Sequence, residues 1–301
     1  MLRPLSVVPV LTVLIFLSQP LQADPKDAGR TIELWTRAPG NYARGADPGR
    51  EKLKQLDLDQ QTLTSVKKKD VQYGETRSFK GLSLASVLAS YDPPATLDMV
   101  ILHFANGVLI PLPRSEAEQS PGLFIARYTR NSKKAWTSLF PPVAKEDPTF
   151  RYKDPNPVTF SGNKLVSTTQ RHPDVTSKVF SPWLLAGSLT GIEFANRDAY
   201  YGQFSAKNNE GGLKVWTARC QFCHGVNKVG ADFGWDFVDP VPVWKLKNAE
   251  HVYNKLKYPY HDALERGLQM PTQTDVSQAE VGSLWGWIEK LGKEGTKPYQ
   301  P

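Results

Sequence analysis

The chain has only two cysteines, Cys220 and Cys223, separated by two residues, with His224 directly after the second. That cluster limits the chemistry more than any other feature. A plain disulfide has no use for the histidine. A structural zinc site needs further Cys or His ligands at suitable spacing, and no third cysteine exists. A redox-active C-x-x-C is expected after a strand, in a thioredoxin-like unit. The stretch before Cys220, from Gly212 to Arg219, instead reads as a helix. What remains is C-x-x-C-H, the signature of c-type haem attachment. Two thiols on one helical turn can add to the two vinyl groups of a haem. The imidazole that follows then lies under the iron as proximal ligand, its binding nitrogen chosen by what the other ring nitrogen donates to.

A second axial ligand has few sources. Beyond the first segment the methionines are Met99 and Met270, and Met270 precedes Pro271 downstream of His224. A thioether on the distal side stabilises ferrous iron and raises the potential. Met270 is therefore the expected distal ligand, with His251 and His261 as rivals. From Ser277 to Leu291 the chain reads as an amphipathic helix. Ser277 and Glu280 fit a capping box, Val281, Leu284, Trp285, Ile288 and Leu291 recur at helical spacing, and Gly292 is placed to end it.

Residues from about 205 to 295 resemble the class I cytochrome c domain. The matching features are Cys220-x-x-Cys223-His224, Met270-Pro271 and a last helix with Trp285 and Trp287, in that order. The resemblance implies a small all-α domain around one covalent haem c, attached through Cys220 and Cys223 and ligated by His224 and Met270. Phe233 to Trp244 departs from it. This stretch reads as a long loop, since Pro240 and Pro242 would break a helix.

The N-terminal segment has Arg3, an apolar run from Val7 to Leu17 and a small-residue site ending at Ala23. This is the pattern of a secretory signal peptide over residues 1–23. The expectation is an exported, periplasmic protein with no membrane span in the mature chain. The formal charge is +7, one less without Arg3, and the pI is near 9.2. Such a balance favours redox protein partners with acidic docking surfaces. Nucleic acid is not expected for an exported chain whose basic runs are only Lys67–Lys69 and Lys133-Lys134.

Residues 24–204 read as a β-rich, α+β domain. Asp98–Phe104 and Val108–Leu112 form two apolar runs around Asn106-Gly107, a strong hairpin signal. Leu123–Tyr128 is another strand, and Ile192–Phe194 a last strand before a polar linker over 198–212. Ser83 caps a short helix that buries Leu84, Val87 and Leu88. Segments 111–121 and 141–158 read as proline-rich loops. His103 and His172 have no partner set that suggests a site.

The run Phe79 to Leu84, with Val87-Leu88, the strand to Asn106-Gly107, Ser181-Pro182-Trp183 and Leu189–Phe194, is similar to the molybdopterin-binding domain of the sulfite oxidase family. That family holds molybdenum through a cysteine thiolate. No cysteine stands in residues 24–204 here, so no molybdopterin is expected. The domain, fused to the cytochrome-like residues 205–301, reads as a docking or structural module. The expected function is transfer of single electrons between redox partners rather than stand-alone catalysis. The alternative is a haem enzyme or small-molecule sensor with an openable distal site.

Overall fold

The computed structural model of the chain describes residues 31–37, 42, 50–70, 75–119, 123–130, 137–138, 164–166, 189–204, 210–257, 273 and 275–294. These form a mixed α/β structure with two five-stranded sheets and six helices. The first 23 residues, His172, the 141–158 segment and Ser181-Pro182-Trp183 lie outside the described residues.

The first sheet joins β1 (Thr31–Arg37), β2 (Arg50–Asp57), β5 (Met99–Phe104), β6 (Leu109–Pro113) and β10 (Leu189–Ala195) in the order β2-β1-β10-β5-β6. β10 pairs parallel with β1 and antiparallel with β5. The segment expected as a last strand before the linker is the centre of the sheet. Its run of buried residues on both faces suits that place. The second sheet holds β3 (Thr64–Asp70), β4 (Glu75–Ser83), β7 (Phe124–Arg130) and β8 (Thr137–Ser138), with β9 (Lys164–Val166) also on β7.

The β5–β6 hairpin turns at Asn106-Gly107 as expected, with Gly107 at φ +84°. The helix α1 (Leu84–Ala89) is capped by Ser83, whose hydroxyl accepts from Ser86 N–H at 3.1 Å. The described part of segment 111–121, residues 111–119, is not a loop. β6 runs to Pro113 and is followed by helix α2 (Arg114–Gln119). Pro111 is tolerated because β6 is an edge strand, where a missing N–H need cost no ladder bond.

Side chains alternate across the first sheet, and each face supports a different core. One face packs Ile32, Leu34, Val100, Leu102, Ile110, Ile192 and Phe194 against Leu84, Val87 and Leu88 of α1. On the other, Met99, Ile101 and Ala195 share a core with Tyr200, Phe204, Trp216, Leu284, Trp287 and Ile288. Apolar packing therefore runs across the boundary expected after residue 204. The expected linker holds helix α3 (Arg197–Gly202) and buried Tyr200 and Phe204. The Trp287 indole N–H donates to the Phe204 carbonyl at 3.1 Å.

The C-terminal region contains α4 (Glu210–Val215), α5 (Ala249–Lys257) and α6 (Gln278–Glu294). Helix is not its only secondary structure. β11 (Gly225–Val226) and β12 (Val229–Gly230) make a two-residue ladder, with Asn227 and Lys228 both at positive φ in the connecting turn. The capping box of α6 forms as read. Glu280 N–H donates to Ser277 Oγ at 3.2 Å, and Ser277 N–H to Glu280 Oε2 at 2.8 Å. The buried stripe carries Trp287, with Trp285 only half-buried. Gly292 does not end the helix; it lies inside it, against the Trp244 ring.

One buried polar group on the second face was not foreseen. Glu193 of β10 lies 2.8 Å from Arg37 Nε and accepts from His103 Nε2 at 2.9 Å. Burial alone would raise the Glu193 carboxyl. The hydrogen bond and charge of His103, with Arg37, outweigh this and hold it below the usual carboxylate range. Glu193→Gln removes the buried carboxylate that pairs with Arg37 and should cost about 3–5 kcal/mol in urea unfolding. A lowered folded pKa also sets the sign with pH. The contribution is complete above the ordinary carboxylate range and is lost as pH falls through the lowered value. The wild type and Glu193→Gln should therefore converge in stability on acidification.

Candidate haem site

Helix α4 does not stop at Val215 but widens into a π-type turn over Trp216–Cys220, where Gln221 N–H donates to the Trp216 carbonyl at 2.9 Å. The Cys220 carbonyl then accepts from Cys223 N–H at 3.1 Å and from His224 N–H at 2.9 Å. These bonds put both sulfurs and the imidazole on a single turn. Trp216, four residues before Cys220, packs against Trp287 of α6 with ring centroids 5.7 Å apart. Arg219 ties the same turn to the start of α6 through Asp275 at 3.1 Å and Glu280 at 3.2 Å.

Both cysteines are buried and are not bonded to each other. Burial pushes the Cys220 thiol up to about 12, with Cys223 adding to the rise and Arg219 opposing it. Burial likewise pushes Cys223 up to about 12. A redox-active dithiol needs a thiolate near neutral pH, stabilised by a cation or a helix N-terminus. These two groups have the opposite character.

His224 is held from two sides. Its Nδ1 lies 2.7 Å from the Trp235 carbonyl, which can only accept, so Nδ1 carries the proton. The lone pair is then on Nε2, to which no described residue hydrogen bonds. Phe237 stacks on the ring at 4.7 Å. Burial lowers the His224 pKa against the opposing effect of the Trp235 bond, which favours the neutral ring needed by a metal ligand.

The loop expected over Phe233–Trp244 is the wall behind this histidine. Gly234 N–H donates to the Cys223 carbonyl at 2.7 Å. A Cβ on Gly234 would come within 2.5 Å of Cε1 and 2.7 Å of Nδ1, so only glycine lets the loop reach the ring. Asp236 fixes the loop to the β11–β12 turn. Its carboxylate accepts from the backbone N–H groups of Asn227, Lys228, Val238 and Asp239 at 2.8–3.0 Å. Phe233, Trp235 and Val241 of this stretch, and Leu246 just after it, are exposed apolar side chains.

The residues present thus fit the proximal half of a covalent haem site: two thiols not bonded to each other and a neutral imidazole whose Nε2 has no hydrogen-bond partner among the described residues. Met270 and the rival His261 lie outside the described residues. The rival His251 is on α5. Met99 is buried in the core on β5. Among the described residues no group of three or more His, Cys, Asp or Glu is placed to hold a metal ion. No described helix is long and apolar enough to cross a membrane.

Sequence reasoning singled out Cys220, Cys223 and His224 but not Gly234, Asp236 or Arg219, which surround them in the structure. The G-x-D spacing of Gly234 and Asp236 around Trp235 carries no signal until the fold brings that loop behind His224.

No family model matches the chain, and no curated protein matches it. Among solved structures it is similar to the sulfane dehydrogenase SoxCD from Paracoccus pantotrophus, with a TM-score of 0.33 and 8% sequence identity. The match covers 58% of this chain and 40% of that one, so the chain spans less than half the length of that protein.

Hydrogen bonds to a charged acceptor are worth about 1.5–3 kcal/mol each, and some of the four donors on Asp236 would be re-solvated when it is removed. Asp236→Ala should therefore destabilise the protein by on the order of 2 kcal/mol, read by thermal unfolding.

Proposed function

We propose that this protein is an exported, periplasmic c-type cytochrome that carries one covalent haem and transfers single electrons between redox proteins. The reading rests on one observation above the others. Cys220, Cys223 and His224 share one turn, and the Nδ1 bond to Trp235 leaves the lone pair of a neutral ring on Nε2. In this reading residues 205–301 are the cytochrome-like part and residues 24–204 a docking or structural module without molybdopterin.

Cys220 and Cys223 would each add their S–H across a vinyl group. A carbon–sulfur bond forms, and the proton ends on the neighbouring vinyl carbon, so no oxidant is needed. His224 would hold the iron from the proximal side and Met270 from the distal side. When bound, the haem supplies a one-electron Fe(III)/Fe(II) couple. The chain's own task is to fix the imidazole, exclude water and present a surface to the donor and then the acceptor. The positive formal charge supports partners with acidic docking surfaces, whose association slows as salt rises.

Replacing both Cys220 and Cys223 by Ala should abolish covalent haem, read by haem staining on a denaturing gel. Retained covalent haem would contradict the attachment.

The spectrum of the reduced, haem-loaded protein should not change on adding carbon monoxide, because both axial positions are held. Met270→Ala should make it change. Rapid complex formation by the wild type would instead favour a haem enzyme or sensor.

A further inference from the structure

The N-terminal β-hairpin reaches the haem-attachment turn directly, and it does so at both ends of the segment that carries His224. Leu109 N–H of the edge strand β6 donates to the carbonyl of Phe222, inside Cys220-Gln221-Phe222-Cys223, at 3.0 Å. The Phe222 side chain packs against the main N-terminal core. On the far side of His224, Asp232 N–H donates to the Gly107 carbonyl at 2.9 Å. Gly107 is at φ +84°, and a Cβ there would lie 2.8 Å from Asp232 C and Phe233 N. Those are backbone atoms and cannot swing away as a flexible side chain can. Two residues on, Gly234 touches the His224 ring, and Trp235 accepts from its Nδ1.

We propose that the Asn106-Gly107 hairpin is a positioning element for the proximal ligand: Gly107 and Leu109 of the N-terminal domain set where the 232–235 loop stands and so set the strength of the His224–Trp235 hydrogen bond. The proposal rests on the haem reading of Cys220, Cys223 and His224. It gives the N-terminal domain a role in tuning the site, beyond docking.

The physical route is short. A side chain at Gly107 pushes Asp232 and Phe233 away from the hairpin. The loop can then move only by carrying Gly234 and Trp235 with it. A longer Nδ1–H···O=C bond makes the imidazole a weaker electron donor to iron, which favours the ferrous state. The reduction potential should rise.

The experiment compares the full-length, haem-loaded wild type with Gly107→Asn, Leu109→Pro and Val87→Ala. Asn tolerates a positive φ, so Gly107→Asn keeps the turn while adding the obstructing Cβ. Leu109→Pro removes the donor to Phe222 on an edge strand, where proline is admitted. Val87→Ala destabilises the N-terminal core on which Phe222 packs but leaves the hairpin's backbone bonds to Phe222 and Asp232 in place. The expected result is a higher potential for Gly107→Asn and Leu109→Pro, with faster solvent exchange of the His224 Nδ1 proton in NMR spectra. Val87→Ala should lower the melting temperature and leave the potential at the wild-type value. Unchanged potentials in both hairpin variants, or an equal shift in Val87→Ala, would overturn the positioning role while leaving covalent haem intact. A wild type with no covalent haem would overturn the haem reading and this proposal with it.

Discussion

The hydrogen bond from His224 Nδ1 to the Trp235 carbonyl is the contact on which the rest of the candidate site depends. It fixes one tautomer, directs the free lone pair to Nε2 and requires a loop that passes very close behind the ring. That closeness explains Gly234, where any side chain would strike the imidazole. It also explains Asp236, whose carboxylate gathers four backbone donors and so fixes a loop that has little regular secondary structure of its own. A short irregular segment can hold a ligand accurately when its polar groups are satisfied locally.

This loop is held from outside as well. The central sheet has two buried faces. The one carrying Met99, Ile101 and Ala195 shares a core with Trp216 and Trp287, which support the attachment turn. The hairpin of the same sheet bonds to Phe222 and Asp232. Burying both faces leaves little room for charge, and Glu193 is admitted only with Arg37 and His103 as partners. The packing thus makes the N-terminal sheet and the cysteine-bearing turn parts of one apolar framework.

Some of this was legible in the residues alone. Asn106-Gly107 announced its hairpin because a two-strand turn with positive φ admits few residues. Ser83 and the Ser277–Glu280 pair announced helix starts because caps act locally. Trp285 was read onto the apolar stripe, but Trp287 is the buried tryptophan, because the neighbouring Phe204 and Trp216 decide which is covered. Gly292 reads as a helix stop by its type but serves as a contact with Trp244, a long-range choice invisible to local pattern. The strands β1 and β2 were not read from the sequence, although Pro39-Gly40 and Pro48-Gly49 stand between them, and the parallel pairing of β1 with β10 joins residues far apart in the chain. At the candidate site, Cys220, Cys223 and His224 stand out by spacing. The groups that orient them were not, because a backbone carbonyl and a glycine have no distinguishing side chain.

The most direct test of the central claim is the intact mass of the full-length protein purified from a host that attaches haem to exported proteins, read under denaturing conditions. The expected result is the polypeptide plus one haem, with the added mass mapping to the peptide that contains Cys220 and Cys223. A mass equal to the polypeptide alone, with both thiols free to alkylate, would contradict it.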